Sequence, residues 1–238
     1  MREHPDNSIS FMVWGRYALF TDPFSKTGGD KFSYPVPTYE ALKGIMKSIF
    51  WKPTIIWNVL RVRILNPIQM ESKSICSLKM NGTKSLAYCT YLVDPAYQVE
   101  VQFEWNLNRP EFEADRISGK YYTVSRRMIE KGGRRDIFLG TRECQGYVKP
   151  CVFGDGAGFY DNTGVCMDFG IMFHGFDYPD ETGIEEFRSR FWKPIMNNGI
   201  ISFIPPQKCT LIRRIRKMKA SKQISSGLEE GSLKYGMD

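Results

Sequence analysis

Residues Gly119 to Asp136 read Gly-Lys-Tyr-Tyr-Thr-Val-Ser-Arg-Arg-Met-Ile-Glu-Lys-Gly-Gly-Arg-Arg-Asp. Lysines and arginines stand beside phenolic rings there, and the segment ends on a glycine pair that releases directly into Arg134 and Arg135. Cations neutralise phosphates and aromatic rings stack bases, so residues of these types at this spacing suit a grip on a nucleic-acid strand. The same run also reads as the solvated face of a basic helix.

Composition sets the frame for that reading. The chain of 238 residues is 42% apolar and 14% aromatic, enough to bury a core in one large domain or two small ones. Thirty-three Lys+Arg against 26 Asp+Glu leave net charge +7 and a pI near 9.0, which puts polyanions first among partner classes. The six cysteines form no Cys-x-x-Cys pair and have no histidine nearby, which argues against structural zinc, and no metal or cofactor is expected. The N-terminal residues turn polar before any apolar run reaches signal-peptide length, and no run of about 20 apolar residues could span a bilayer. The expected setting is the reducing cytoplasm, with free thiols and no membrane contact.

The elements that must position the basic segment follow from periodicity. Ser8 to Trp14 is aromatic and β-prone and predicts a first strand. Asp22-Pro23 and Gly28-Gly29 mark a loop, after which Pro35 and Pro37 keep the chain extended up to Thr38. Thr38 stands at an N-cap position with Glu40 in the first turn behind it. Leu42, Ile45, Met46, Ile49 and Phe50 then recur at helical spacing, with Lys43 and Lys47 off that stripe and Pro53 ending the helix. Ile55 to Leu65 predicts a second strand, on which Arg61 and Arg63 share one face, toward solvent or toward a phosphate. Tyr97, Val99, Val101, Phe103, Trp105 and Leu107 alternate with polar residues and predict a third strand with one face buried. Between these two strands, Asn81-Gly82 signals a hairpin inserted within the polar stretch 67–94.

A second helix is expected over 117–131, with Ile117, Tyr121, Val124 and Met128 as its apolar stripe and Lys120 and Arg127 on another face. Gly132-Gly133 would stop it, and residues 143–153 can supply a fourth strand. The order strand, helix, strand, strand, helix, strand predicts an α+β fold of the ferredoxin-like, RNA-recognition type over 1–153, an arrangement that serves many functions. Residues 154–219 combine Gly154-Asp155-Gly156-Ala157-Gly158 with short apolar runs and predict a small antiparallel β-sheet domain. No Gly-Lys-Ser/Thr follows those glycines, which read as hairpin turns and not as a phosphate loop. Residues 220–238 are polar and aperiodic and read as a disordered tail.

Three blocks carry a family resemblance. They are Ser33-Tyr34-x-Val36-Pro37-Thr38-x-x-Ala41-Leu42-x-Gly44-Ile45, then Gly132-Gly133-Arg134-Arg135-Asp136-Ile137-Phe138-Leu139-Gly140-x-Arg142-Glu143-Cys144-Gln145-Gly146-Tyr147, then His174-Gly175-Phe176-x-Tyr178-Pro179. In this order they resemble the CRISPR-associated Cas-five family, in the "d" variant of type I-C systems, over nearly the whole chain up to about residue 219. The resemblance implies a modified ferredoxin-like N-terminal domain and a small β-sheet C-terminal domain. It also implies a metal-independent endoribonuclease that cuts CRISPR precursor RNA at its stem-loop repeats. Such proteins stay on the 5′ handle of the guide RNA with the other subunits of the type I-C interference complex. A ribose 2′-hydroxyl attacks the adjacent phosphate and leaves a 2′,3′-cyclic end.

That reaction needs a proton acceptor, a proton donor and a cation for charge growing on the phosphorane. In the family the site consists of a tyrosine on helix one and an adjacent Lys-His pair on helix two; the matching positions here are Phe50, Lys120 and Tyr121. Lys120 is the expected transition-state cation. Phe50 cannot transfer a proton, and Tyr121 with an ordinary pKa of about 10 is roughly one part in a thousand ionised at neutral pH. The neighbouring Lys120 would lower that pKa, while membership of the apolar stripe gives Tyr121 a structural reading as well. Tyr122 is a reserve acid-base residue. His4 falls in a frayed terminus, and His174 reads as a satisfied structural imidazole.

The expected RNA contacts are Arg134 and Arg135, then Lys43, Lys47, Arg126 and Arg127. Arg134 and Arg135 read alternatively as buried ion pairs with Asp136 or Glu143. Arg213, Arg214, Arg216, Lys217 and Lys219 form either a sequence-independent phosphate surface or a solvated strand end. Two other functions fit the residues. One is a structural guide-RNA-binding subunit that does not cut, in keeping with the changed tyrosine and histidine. The other is non-specific binding of duplex DNA through the basic surface, which can coexist with either role.

Overall fold

Residues with period-two alternation form strands and those with helical stripes form helices, as charted in a computed structural model that describes residues 7–21, 30–78, 80–117 and 119–220. His4, the turn signals at 22–29 and the expected tail beyond residue 220 lie outside the described residues. In chain order the first half comprises β1 (Ser8–Gly15), β2 (Tyr17–Ala18), β3 (Lys31–Phe32), α1 (Tyr39–Ile49), β4 (Ile55–Ile64), β5 (Met70–Leu78), β6 (Lys84–Val93) and β7 (Ala96–Trp105). The second half comprises α2 (Lys120–Glu130), β8 (Ile137–Phe138), β9 (Gln145–Pro150), β10 (Cys166–Asp168), β11 (Met172–Asp177), α3 (Pro179–Thr182), β12 (Glu186–Trp192), β13 (Ile195–Asn197), β14 (Ile200–Ser202) and β15 (Leu211–Lys217). The protein is therefore of mixed α+β class and dominated by antiparallel sheet.

The main sheet has eight strands in the order β10-β13-β14-β4-β7-β1-β9-β8, each antiparallel to its neighbours. Its inner face carries Phe11, Val13, Trp57, Val99, Val101 and Phe103, which pack with Leu42, Met46 and Ile49 of α1 and Tyr121 and Ile129 of α2 in one core. Strands from both sides of residue 153 are hydrogen-bonded into this sheet, because β14 pairs with β4. The polar stretch around Asn81-Gly82 is a hairpin of β5 and β6 in register from Met70↔Leu92 to Leu78↔Lys84, with β2 and β3 flanking β6. A third sheet, β11-β12-β15, comes wholly from the C-terminal part, and its first strand packs against α1.

Thr38 caps α1 as expected, its Oγ1 accepting from the Ala41 N–H at 3.2 Å. The second helix differs from expectation. It begins at Lys120, because a 3-10 turn over Pro110–Asp115 and a left-handed Gly119 at φ 75° reset the chain, and Ile117 is left 52% exposed. Its buried face is Tyr121, Ser125 and Ile129, with Val124 and Met128 half-buried against the core. Arg61 and Arg63 do share a face, but only Arg61 is open. Arg63 is buried under the glycine-rich turn, donating to the Gln98 side chain, to the Asp155 and Gly156 carbonyls and to Asp161. The glycines of 154–158 thus serve a turn clamped onto the sheet. All six cysteines are free thiols, and no helix among the described residues is long and apolar enough to cross a membrane.

Candidate active site

Three side chains meet where the turn before α2 comes against the end of α1. Lys120 starts α2 with its side chain 43% exposed, while the next residue, about 100° around the helix, turns its ring into the core. Asp115 ties the two together: Oδ1 lies 2.5 Å from Lys120 Nζ, and Oδ2 accepts from the Tyr121 hydroxyl at 2.5 Å. The same hydroxyl lies 3.3 Å from Thr54 Oγ1. The Tyr121 ring packs 5.8 Å from Phe50, the residue that closes α1, and 5.5 Å from Trp105. A buried ring therefore ends in a hydroxyl covered by Asp115, whose half-exposed carboxylate forms a charged rim with Lys120.

The protonation states follow from this contact set. The hydrogen bonds from Lys120 and then Tyr121 hold the Asp115 carboxyl below the usual carboxylate range, and Lys52 adds to the effect. The Asp115 hydrogen bond in turn raises the Lys120 pKa. Burial pushes the Tyr121 phenol up, and the bond to Asp115 pushes it further. The neighbouring ammonium does pull it down, as the sequence suggests, but is outweighed. At neutral pH the cluster is an ammonium, a carboxylate and a protonated phenol, so Tyr121 is not a resident phenolate. Asp115 was not anticipated. A carboxylate five residues before Lys120 was the available signal, but a turn rather than a helix connects them.

Tyr122 does not join this cluster. It lines a separate cavity of about 660 Å³ with Arg126, Arg61, Glu100, Glu130 and Phe153, and the Arg126 guanidinium lies 6.0 Å from its ring. Arg127 is exposed on α2. Arg134 and Arg135 are exposed too, and neither forms an ion pair with a described residue. They leave α2 through Gly132 and Gly133 at φ 82° and 106°, a left-handed pair that other residues adopt only with strain. The Arg134 and Arg135 backbone N–H groups donate to the Ile49 and Ser48 carbonyls, each at 3.2 Å, which fixes both arginines against the end of α1.

Lys43 is a correction to the expected surface set. It is 2% exposed, and its ammonium meets Glu181 of α3 at 2.5 Å, a partner 138 positions away. Lys47 is paired with the same carboxylate at 2.9 Å but stays half-buried at the rim. Burial alone would push the Glu181 carboxyl up, yet the two lysines outweigh it and hold it low. His174 is fully buried, stacked 4.2 Å from Tyr39, with Nε2 3.0 Å from the Ile204 carbonyl oxygen; burial drives its pKa down to about 3. Every residue of β15 is exposed, Arg213, Arg214, Arg216 and Lys217 among them.

Comparison with known proteins places this geometry. A family model described as "CRISPR-associated protein (Cas_Cas5)", of the Cas5d type, matches residues 8–204. This chain belongs to the CRISPR-associated Cas5d family. A curated Cas5d relative from Mannheimia succiniciproducens, named "CRISPR pre-crRNA endoribonuclease Cas5d", is 42% identical over 234 residues, covering 87% of this chain and 99% of the relative. A second protein of that name, from Thermus thermophilus, is 29% identical over 188 residues, covering 75% of this chain and 77% of the relative. A solved structure described as "Crystal Structure of CRISPR-associated Protein" superposes with a TM-score of 0.72 at 34% identity, covering 87% of this chain and 97% of that one. Within this Cas5d-family chain, the three positions that sequence matching singled out converge, Phe50 and Tyr121 in ring contact and Lys120 beside them through Asp115.

Proposed function

We propose that this chain is an endoribonuclease that cleaves CRISPR precursor RNA within its repeats and remains on the guide RNA 5′ handle as a subunit of the type I-C interference complex. Both curated relatives bear the endoribonuclease name, and one of them is matched over 99% of its length. The observation that carries the reading is the Lys120–Asp115–Tyr121 cluster, which stands open at the matched positions beside a basic surface. The strand order β4-β7-β1-β9, with α1 and α2 as the connections after β1 and β7, supports a modified ferredoxin-like layer over 1–153. Residues 154–219 are read with it as a smaller β unit that partly extends the same sheet.

The chemistry is assigned to the chain's own groups, without a metal. The RNA 2′-oxygen attacks the neighbouring phosphorus, the bond from phosphorus to the 5′-oxygen breaks, and a 2′,3′-cyclic phosphate remains. Lys120 presents its ammonium to the charge growing on the phosphorane. The 2′-hydroxyl proton passes to the Tyr121 oxygen as the phenol proton moves to Asp115, and the reverse transfer delivers a proton to the departing 5′-oxygen. Asp115 thereby offsets the loss of a proton-carrying side chain at Phe50. Arg134 and Arg135 hold the strand, with Lys47 held back by its pairing to Glu181, and Tyr122 with Arg126 and Arg127 contacts it farther along α2. Duplex DNA binding through the same surface would be sequence-independent, and the cytoplasm is the compartment that suits such a substrate.

Purified protein incubated with its cognate repeat RNA in EDTA tests the reading. Cleavage with cyclic-phosphate ends is expected, and Lys120→Ala should slow it about 10²- to 10³-fold while RNA affinity stays within a few-fold. Intact RNA at high enzyme excess would leave only a guide-binding role.

A further inference from the structure

Trp51 is the one large aromatic that the basic end of α1 leaves 44% exposed, among the described residues that line its cleft. It follows Phe50, whose ring turns inward against Tyr121, so the extended backbone at Phe50 (φ −157°, ψ 131°) sends Trp51 the other way. Lys52, the next residue, is close enough to Asp115 for its charge to lower that carboxyl. Trp51 is therefore joined on both sides to the candidate active site. It walls a cleft of about 310 Å³ whose other lining residues are Lys47, Ser48, Arg134 and Arg135, every one of them polar. It also borders a second cleft of about 270 Å³, reached past Lys47.

We infer that Trp51 is the stacking platform for one unpaired RNA base, with the phosphate of that nucleotide held by Arg134 and Arg135. An apolar side chain from a protein partner would meet four polar groups in this cleft, two of them guanidinium groups. A nucleotide presents a flat π-face to the indole and an anion to the arginines, and so satisfies both. Lys47 is already occupied by Glu181, which leaves the two arginines as the phosphate ligands. The backbone bonds from both arginines to α1 fix their spacing from the indole before RNA arrives, which lowers the cost of ordering them on binding. The inference rests on the RNA-processing reading and adds to it a base-contacting residue outside the reacting groups.

The test uses full-length protein and a set of repeat RNAs, each carrying one abasic nucleotide, with affinity read by fluorescence anisotropy. Trp51→Ala should weaken binding of the intact repeat on the order of 10-fold, with Trp51→Phe recovering most of it and the melting temperature nearly unchanged. One abasic position should be costly in wild type and nearly silent in Trp51→Ala, the non-additivity expected of two groups in contact. Unchanged affinity in Trp51→Ala, the outcome expected if a protein partner uses this cleft, would overturn the inference, and so would a loss that leaves the abasic profile the same at every position. Wild-type protein that neither binds nor cuts the intact repeat would overturn the underlying RNA-processing reading instead, and the wild-type arm tells the two failures apart.

Discussion

Replacing Tyr121 with phenylalanine separates the two roles that this residue combines. The ring contacts to Phe50, Trp105 and Phe103, at 5.8, 5.5 and 6.4 Å, survive the change, so the core is not emptied. Only the hydroxyl goes, and with it the bonds to Asp115 and Thr54. The Asp115 carboxylate left behind is 36% exposed and keeps its bond to Lys120, so Tyr121→Phe should cost about 1 kcal/mol of stability, or roughly 2–4 °C in melting temperature for a chain of this size. A proton path through that hydroxyl predicts a far larger kinetic effect, about 10²- to 10⁴-fold in the cleavage step. Single-turnover cleavage of repeat RNA at saturating enzyme, with a thermal melt of the same preparation, measures both. The pH dependence adds a second check. Asp115 is held ionised to below the usual carboxylate range and Tyr121 is held protonated, so the wild-type rate should be level through neutral pH with no inflection near the ordinary histidine value. A Tyr121→Phe rate within about three-fold of wild type would refute the proton path and return Tyr121 to a structural role.

The double substitution Phe50→Tyr with Tyr121→His restores the residue types of the family site, and cleavage should change by no more than a few-fold if Asp115 has taken over the proton chemistry; a gain of about 10²-fold would mark a decayed site instead. His174 gives a prediction for stability. Its folded pKa of about 3 lies below the ordinary 6.5, so its contribution is complete above pH 6.5 and is lost as pH falls below it. The slope approaches roughly 1.4 kcal/mol per pH unit below pH 6.5, and denaturant titrations should show a loss of about 2 kcal/mol between pH 6.5 and about pH 4.5. His174→Gln should flatten that slope, and an unchanged slope would mean that other groups set the acid limit.

Local signals in the sequence were enough for α1, whose cap at Thr38 and stripe from Leu42 to Ile49 lie within a few residues of one another. They sufficed equally for the hairpin at Asn81-Gly82 and for the alternation in β7. The start of α2 was misjudged because Ile117 fits the helical period, whereas the left-handed Gly119 that breaks it is a backbone matter. Ser125, a polar residue at the centre of the buried face, hides the true stripe from any hydrophobicity pattern. Lys43 could not be recognised as internal, since Glu181 reaches it across 138 positions and only the folded chain brings them together. The candidate site was half legible. Lys120 and Tyr121 stood in an obvious basic segment, but Asp115 belongs to a turn whose path decides its partners. Trp51 carries no charge, and only its exposure sets it apart.

The backbone bonds from Arg134 and Arg135 to the last carbonyls of α1 have a mechanical meaning. Helix ends ordinarily fray, because their final carbonyls lack partners, and a frayed end would let Phe50 and Trp51 drift. Here the backbone of two exposed arginines stitches that end shut. Under the proposed function, a pull on a bound transcript would pass directly to the residues that pack against Tyr121, so that holding and cutting would share one rigid joint.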